Sequence, residues 1–164
     1  MAVDTSIIGR ETGRARVQVE RAPIANFAKA VKDENPVYNE AAAAEAAGFD
    51  GAPAPPTFGF ALEFWGRYPD LQQGLTPVEG NPMMEVIGKL MQNGGLILHG
   101  EQEFEYHRPI VAGDVLRSEG KVVDAYEKES KGKTMTFVVT ENVFKDAKTG
   151  EPVLTTRMNL IHRS

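Results

Sequence analysis

Ile24, Phe27, Ala28 and Val31 recur at i, i+3, i+4 and i+7, and Pro23 stands where a first helical turn tolerates it. Residues 23–33 are therefore expected to form a short amphipathic helix. It is expected to stop at Asn35-Pro36, because the residue before proline avoids the helical region. A second short helix is expected over the alanine-rich run Ala41 to Ala47, capped by Asn39 and stopped by Gly48. The stretch Gly51-Ala-Pro-Ala-Pro-Pro56 excludes helix and central strand, because its prolines remove backbone donors; it reads as an ordered loop or a linker. Thr57 then caps Phe58 to Trp65, where Phe58, Phe60, Ala61, Leu62, Phe64 and Trp65 point around most of the helical circumference. A helix apolar on most faces is a buried one. Residues 69–94 are punctuated by Pro69, Pro77, Gly80-Asn81-Pro82 and Asn93-Gly94-Gly95, and read as a long, partly mobile connection. Its one short apolar piece runs from Met83 to Met91.

From Leu96 onward the period changes. Leu96 to Arg108, Val115 to Lys128, Thr134 to Lys145 and Val153 to Ile161 are extended runs rich in β-branched and aromatic residues, separated by turn signals at Ala112-Gly113-Asp114, Lys131-Gly132 and Thr149-Gly150. They are expected to pair in chain order as an antiparallel meander. Met135, Phe137 and Val139 share one face and Thr136 and Thr140 the other, the alternation of a sheet packed on one side. Arg14 to Val19 is expected to add an N-terminal strand. The fold class is α+β, a curved antiparallel sheet around one buried helix, in a single domain over residues 1–164.

Composition narrows the chemistry. Eighteen Lys and Arg against 23 Asp and Glu give a net charge of −5, the wrong sign for a protein whose task is neutralising phosphates. Nucleic acid is not an expected partner. Zero cysteines exclude a disulfide framework, thiolate metal sites and a catalytic thiol, and are compatible with a cytoplasmic location. The start of the chain lacks the features of a signal peptide, no apolar run reaches membrane-spanning length, and no membrane partner is expected. His99, His107 and His162 are too scattered for a local metal motif, and no metal is expected.

Two segments carry a closer likeness: Asp33-Glu-Asn-Pro-Val-Tyr38 followed by Ala54-Pro-Pro-Thr-Phe58, and Phe104-Glu-Tyr-His-Arg-Pro-Ile-Val-Ala-Gly-Asp114. They resemble the MaoC-like dehydratases, or R-specific enoyl-CoA hydratases, of the hot-dog fold, and most nearly their N-terminal, fatty-acid-synthase-like dehydratase branch. Within it the chain is similar to the non-catalytic partner subunits of heterodimeric 3-hydroxyacyl-thioester dehydratases. The resemblance runs from Ile8-Gly9-Arg10 to Met158. It implies (R)-3-hydroxyacyl-thioester dehydration, equivalently 2-enoyl-thioester hydration, on a coenzyme A or acyl-carrier-protein thioester. It implies no cofactor, since the thioester itself acidifies the α-carbon.

In active members the motif Asp-x-Asn-Pro-x-His supplies an aspartate and a histidine that handle the two protons. Asp33 and Asn35 match, but the histidine position is Tyr38. A phenol with an ordinary pKa of ~10 is a poor base at neutral pH, whereas imidazole at ~6.5 takes and gives a proton there. The resemblance also implies a backbone N–H that polarises the thioester oxygen at the start of the central helix; read without a gap, that position is Pro56, which has no N–H. Thr57 stands ready to substitute.

Each candidate has a plainer reading. Asp33 either acts on substrate or bridges the Asn-Pro turn, and Asn35 holds that turn. Tyr38 is a pocket wall or a polar ligand to substrate. Pro55, Pro56 and Thr57 are expected to shape the thioester tunnel. Glu63, a lone acid on an apolar helix, keeps a thioesterase reading open. His99 and His107, eight residues apart on one expected strand, fall on the same face by alternation, with Glu101, Glu103 and Glu105 sharing their parity on a solvated or partner-facing side. Three assemblies follow: a heterodimer with a MaoC-like subunit carrying an intact Asp/His pair, a self-sufficient homodimer using Asp33 with Tyr38, and an acyl-thioester-binding scaffold without turnover.

Overall fold

Alternating β-branched and aromatic positions build five strands, β1 (Glu11–Gln18), β2 (Leu96–Tyr106), β3 (Val115–Ser130), β4 (Lys133–Asp146) and β5 (Pro152–Arg163). The computed structural model describes residues 3–62, 82–92, 94–130 and 132–163. All strand pairs are antiparallel, in the order β1-β3-β4-β5-β2. The expected four-strand meander is therefore corrected: β3, β4 and β5 form hairpins, whereas β2 lies beyond β5 at the sheet edge. The physical reason is the segment between β2 and β3, which is no hairpin turn. Ala54 N–H donates to the Ile110 carbonyl at 2.8 Å and Ala112 N–H to the Ala52 carbonyl at 2.9 Å, so this segment pairs with the proline-rich loop instead. That settles the loop at residues 51–56 as an ordered element.

Two bulges reset which side chains face inward. In β2 the register shifts between His99 and Gln102, and in β3 between Val122 and Asp124. The inner face of β4 carries Thr136, Val138, Thr140 and Phe144, all buried, while Met135, Phe137 and Val139 lie half-buried on the outer face. The packed side is thus the reverse of the one hydrophobicity alone favours. Threonine hydroxyls are tolerated inside when they are hydrogen-bonded, and Phe137 instead stacks on Tyr126 at 4.7 Å outside.

Among the described residues there are four α-helices: α1 (Arg21–Ala30), α2 (Ala41–Ala46), α3 (Phe58–Leu62) and α4 (Pro82–Met91). The cap of α2 is Glu40 with no side-chain bond, not Asn39, whose carbonyl instead accepts from Arg21 Nη2 at 2.6 Å. α4 occupies part of the expected connection; Met83, Val86 and Leu90 pack it on Ile7, Val122, Ala125 and Val138. Phe64, Trp65 and Glu63 lie outside the described residues. Phe58 and Leu62 of α3 sit in a core with Val17, Ile24, Ala28, Leu116, Phe144 and Leu154. Gly59 permits this approach: a Cβ there would stand 2.6 Å from Leu154 Cδ2. Among the described residues no helix is long and apolar enough to cross a membrane.

Candidate functional site

The site loop begins where α1 ends. Lys32 adopts φ 60°, and Asp33 N–H reaches back to the Ala28 carbonyl at 2.9 Å. A non-glycine residue in this region costs about 1–2 kcal/mol, so the turn is held against a local strain. Asp33 Oδ1 then accepts from Asn35 N–H at 3.2 Å, and Asn35 Oδ1 accepts from Val37 N–H at 3.1 Å. These successive side-chain turns fix the short 3-10 turn Pro36–Tyr38 and bury the Tyr38 ring at its end. Tyr38 donates its hydroxyl to the Asp33 carboxylate; burial first, then the Asp33 charge and this bond, raise its pKa above the ordinary phenol value. The pair thus places a protonated phenol on a carboxylate. Tyr38 can orient a ligand or donate a hydrogen bond at neutral pH, but it does not accept a proton.

Asn35 and Tyr38 line a pocket of about 640 Å³ together with Val37, Phe49, Pro56, Tyr106, Arg108 and Ile110. Its wall is mostly apolar, with the two phenols and the Asn35 amide, and His107 is among its lining residues beside Arg108. Asp33 lies on the other side of the loop, in a smaller hollow of about 310 Å³ shared with Asn26, Lys29 and Asn39. The structure therefore gathers Asn35, Tyr38 and Pro56 on one pocket wall and leaves Asp33 behind Tyr38. Pro55 is buried and Thr57 exposed, and neither is among the residues lining that pocket.

The start of α3 explains what the pocket offers a carbonyl. Pro56 has no N–H; Phe58 N–H is taken by the Pro55 carbonyl at 2.9 Å. Tyr106, at the inner end of β2, donates its hydroxyl to the Pro56 carbonyl at 2.7 Å and accepts from the backbone of Gly59. Burial of this hydroxyl pushes its pKa up to about 12, the Gly59 bond opposing the rise. Tyr106 thus bridges loop and helix and occupies the Gly59 N–H that an incoming oxygen would need. Sequence reasoning missed Tyr106. The available signal was parity: it follows Phe104 by two, shares the inner face, and its ring lies 6.5 Å from the Phe104 ring.

The second motif has a structural role. Arg108 donates to Asp114 at 2.7 and 3.1 Å, to Asp146 at 3.0 Å and to the Pro109 carbonyl at 2.9 Å, while Asp114 also accepts Val111 N–H at 3.0 Å. With its donors so engaged, Arg108 pins the β2–β3 segment and leaves the pocket without a free cation at this wall.

The histidines separate. The bulge in β2 turns His99 inward, 5.4 Å from the Phe60 ring, while His107 takes the opposite face, bonds Thr155 Oγ1 at 3.1 Å and lines the pocket next to Arg108; the expected shared face is corrected for that reason. His162 is buried, with Nε2 bonded to the Gly94 carbonyl at 2.8 Å. Among the described residues no group of three or more His, Asp and Glu side chains is placed to hold a metal ion.

The model of the FAS1-like, dehydratase domain region matches residues 6–156. A UPF0336 protein of Saccharopolyspora erythraea is 35% identical over 164 residues, spanning 99% of this chain and 93% of that protein. Among solved structures, the C-terminally truncated HadBC (3R-hydroxyacyl-ACP dehydratase) complex of Mycobacterium tuberculosis is similar with a TM-score of 0.67 and 25% identity, over 94% of this chain and 96% of that one. The ChsH1–ChsH2 complex of the same organism gives a TM-score of 0.72 at 22% identity, over 93% of this chain and 83% of that one.

Proposed function

This chain belongs to the FAS1-like dehydratase family and has the hot-dog fold, and on that premise we propose that it is the substrate-tunnel subunit of an (R)-3-hydroxyacyl-thioester dehydratase, equivalently a 2-enoyl-thioester hydratase. The observation that supports the reading is the occupied helix start: a ligand-sized pocket stands beside α3, but Tyr106 fills the donor position there and Tyr38 covers Asp33. Dehydration removes the proton α to the thioester carbonyl and delivers a proton to the leaving hydroxyl, so it needs a base, an acid and an oxyanion donor. Here the phenol at position 38 supplies no base, and the loss of one oxyanion donor costs on the order of 3 kcal/mol.

In this proposal the base and the oxyanion donor come from a MaoC-like partner with an intact Asp/His pair, in a two-chain assembly of the kind named for the HadBC and ChsH1–ChsH2 complexes. This chain contributes the apolar wall, with Tyr38 and Asn35 as polar contacts and Pro55, Pro56 and Thr57 fixing the geometry of the tunnel mouth; Asp33 acts through Tyr38. No cofactor enters the proposal, because the thioester makes the α-proton acidic. The cytoplasmic setting that the proposal assumes agrees with the absence of cysteine.

The test follows loss of enoyl-thioester absorbance with the purified chain and then with a co-expressed MaoC-like subunit carrying Asp-x-Asn-Pro-x-His. Turnover is expected in the pair and not in the chain alone. Turnover by the chain alone that disappears in Asp33→Asn would overturn the partner-subunit reading and favour a self-sufficient enzyme. Thioester binding without turnover in any mixture would favour the scaffold.

A further inference from the structure

Two rows of register partners on the outer face of the sheet differ in how their side chains are satisfied. Lys121, Glu141, Arg157 and Glu103 run across β3, β4, β5 and β2, and ion pairs at 3.3, 2.9 and 3.4 Å join each to the next. That row is closed within the chain. Nearer the β3–β4 hairpin, Tyr126, Phe137, Ile161 and Leu98 line up across the same four strands, all half-buried and none of them part of either core cluster. The Tyr126 and Phe137 rings stack at 4.7 Å, and Met135 and Val139 widen this apolar strip on β4. Lys128 and Arg163 stand on its hairpin side. Asp124 stands on the other side, with Glu101, which accepts from Asn159 Nδ2 at 2.8 Å. All four charges are exposed, and among the described residues none has an ion-pair partner. An apolar strip thus lies between a basic rim and an acidic rim.

We propose that this strip is a self-complementary face that takes a second copy of the chain, sheet against sheet. Two such sheets pack about 10 Å apart with their strands within about 30° of each other. A two-fold axis along the row sets each strand over its own copy and exchanges the two rims. Lys128 then meets Asp124 of the second copy and Arg163 meets its Glu101, each pair formed twice by symmetry. A two-fold axis along the strands would set like charges together, so the rims select the first arrangement. Three rows across four strands cover about 400 Å² per copy, with strands about 4.8 Å apart and successive side chains of one face about 6.8 Å apart. The roughly 800 Å² buried in total is below the standard size of specific interfaces, so the contact is weak and reversible. Each exposed ion pair adds roughly 1.4- to fivefold in affinity. The packing leaves the free edge of β2 untouched, so it can join single chains or two-chain assemblies alike.

Sedimentation velocity of the full chain over a concentration series reads the doubling of mass, from monomer to dimer or from an edge-paired dimer to a tetramer. Wild type is expected to double between micromolar and millimolar concentration, less readily as salt rises. Phe137→Thr/Ile161→Thr keeps β-branched or strand-favouring side chains, removes the apolar contact and should abolish the doubling. Lys128→Glu/Arg163→Glu makes both rims acidic, and Asp124→Lys/Glu101→Lys makes both basic. Each of these should double about tenfold more weakly than wild type, and an equimolar mixture of the two should recover the association. Thermal melting of each variant checks that the fold is kept. The proposal is overturned by a wild type that does not double, by a doubling that survives Phe137→Thr/Ile161→Thr, or by folded rim variants that do not associate on mixing. None of these readouts involves a thioester or a MaoC-like subunit, so failure of the dehydratase reading leaves the result unchanged.

Discussion

Replacing Tyr106 with phenylalanine removes one oxygen and keeps the ring on Phe104. The hydroxyl bridges the Pro56 carbonyl, at 2.7 Å, and the backbone of Gly59. Loss of the bridge leaves both groups without their partner, which costs about 1–3 kcal/mol when such groups stay dry. Pro56 is exposed, so water recovers its carbonyl and the expected loss falls to about 1–2 kcal/mol. For a chain of this size that is a drop of roughly 3–6 °C in melting temperature. The pH dependence is the sharper test. The Tyr106 pKa rises from 10.0 to about 12 in the folded chain, chiefly through burial. A raised folded pKa means that its stabilisation is complete below the unfolded value near 10 and is lost as pH climbs through the folded one. Two pH units correspond to about 2.7 kcal/mol, discounted by about half for solvent screening because the residue is 37% exposed. Urea denaturation of wild type and Tyr106→Phe at pH 8, 9, 10 and 11 should therefore give a gap of about 1–2 kcal/mol at pH 8 that narrows above pH 10. Equal stability at pH 8, or a gap that stays constant or widens to pH 11, would refute the bridge.

Lys32→Gly should raise stability by about 0.5–1 kcal/mol in chemical denaturation, because glycine relieves the cost of φ 60° by more than it adds in chain entropy; a lower midpoint would show that the Lys32 side chain holds the turn. Arg108→Leu should cost about 2–3 kcal/mol, since it strands Asp114, whose side chain is 12% exposed, beside Asp146; a loss below about 0.5 kcal/mol in the same assay would show that the ion triad does not pin the β2–β3 segment.

Local pattern was enough for α1, α2, the start of the buried helix and all five strands, because a helical or two-residue period is written in neighbouring residues and survives packing. α4 was readable too: Met83, Val86 and Leu90 have helical spacing, but the prolines and glycines around them drew the reading toward a loop. The order of strands was not readable, since β2 reaches β5 through backbone pairing with a segment far away in sequence. Nor were the bulges, each of which inserts one residue and swaps every later side chain to the other face. That single shift is why His99 and His107 part company, and why Glu103 and Glu105 share a face with Arg157 rather than with His99.

The site divides along the same line. Sequence by itself determined which groups are present: Asp33, Asn35 and Tyr38 in a motif that specifies its own turns through side-chain bonds two residues on, and Pro56, whose missing N–H is a covalent fact. Tertiary structure decided what those groups meet. Tyr38 turns its hydroxyl onto Asp33 and so stands between the carboxylate and the pocket, and Tyr106 arrives from another strand to fill the donor position at the start of α3. Such contacts depend on the relative placement of a sheet end and a helix end, which long-range packing sets and no local spacing encodes.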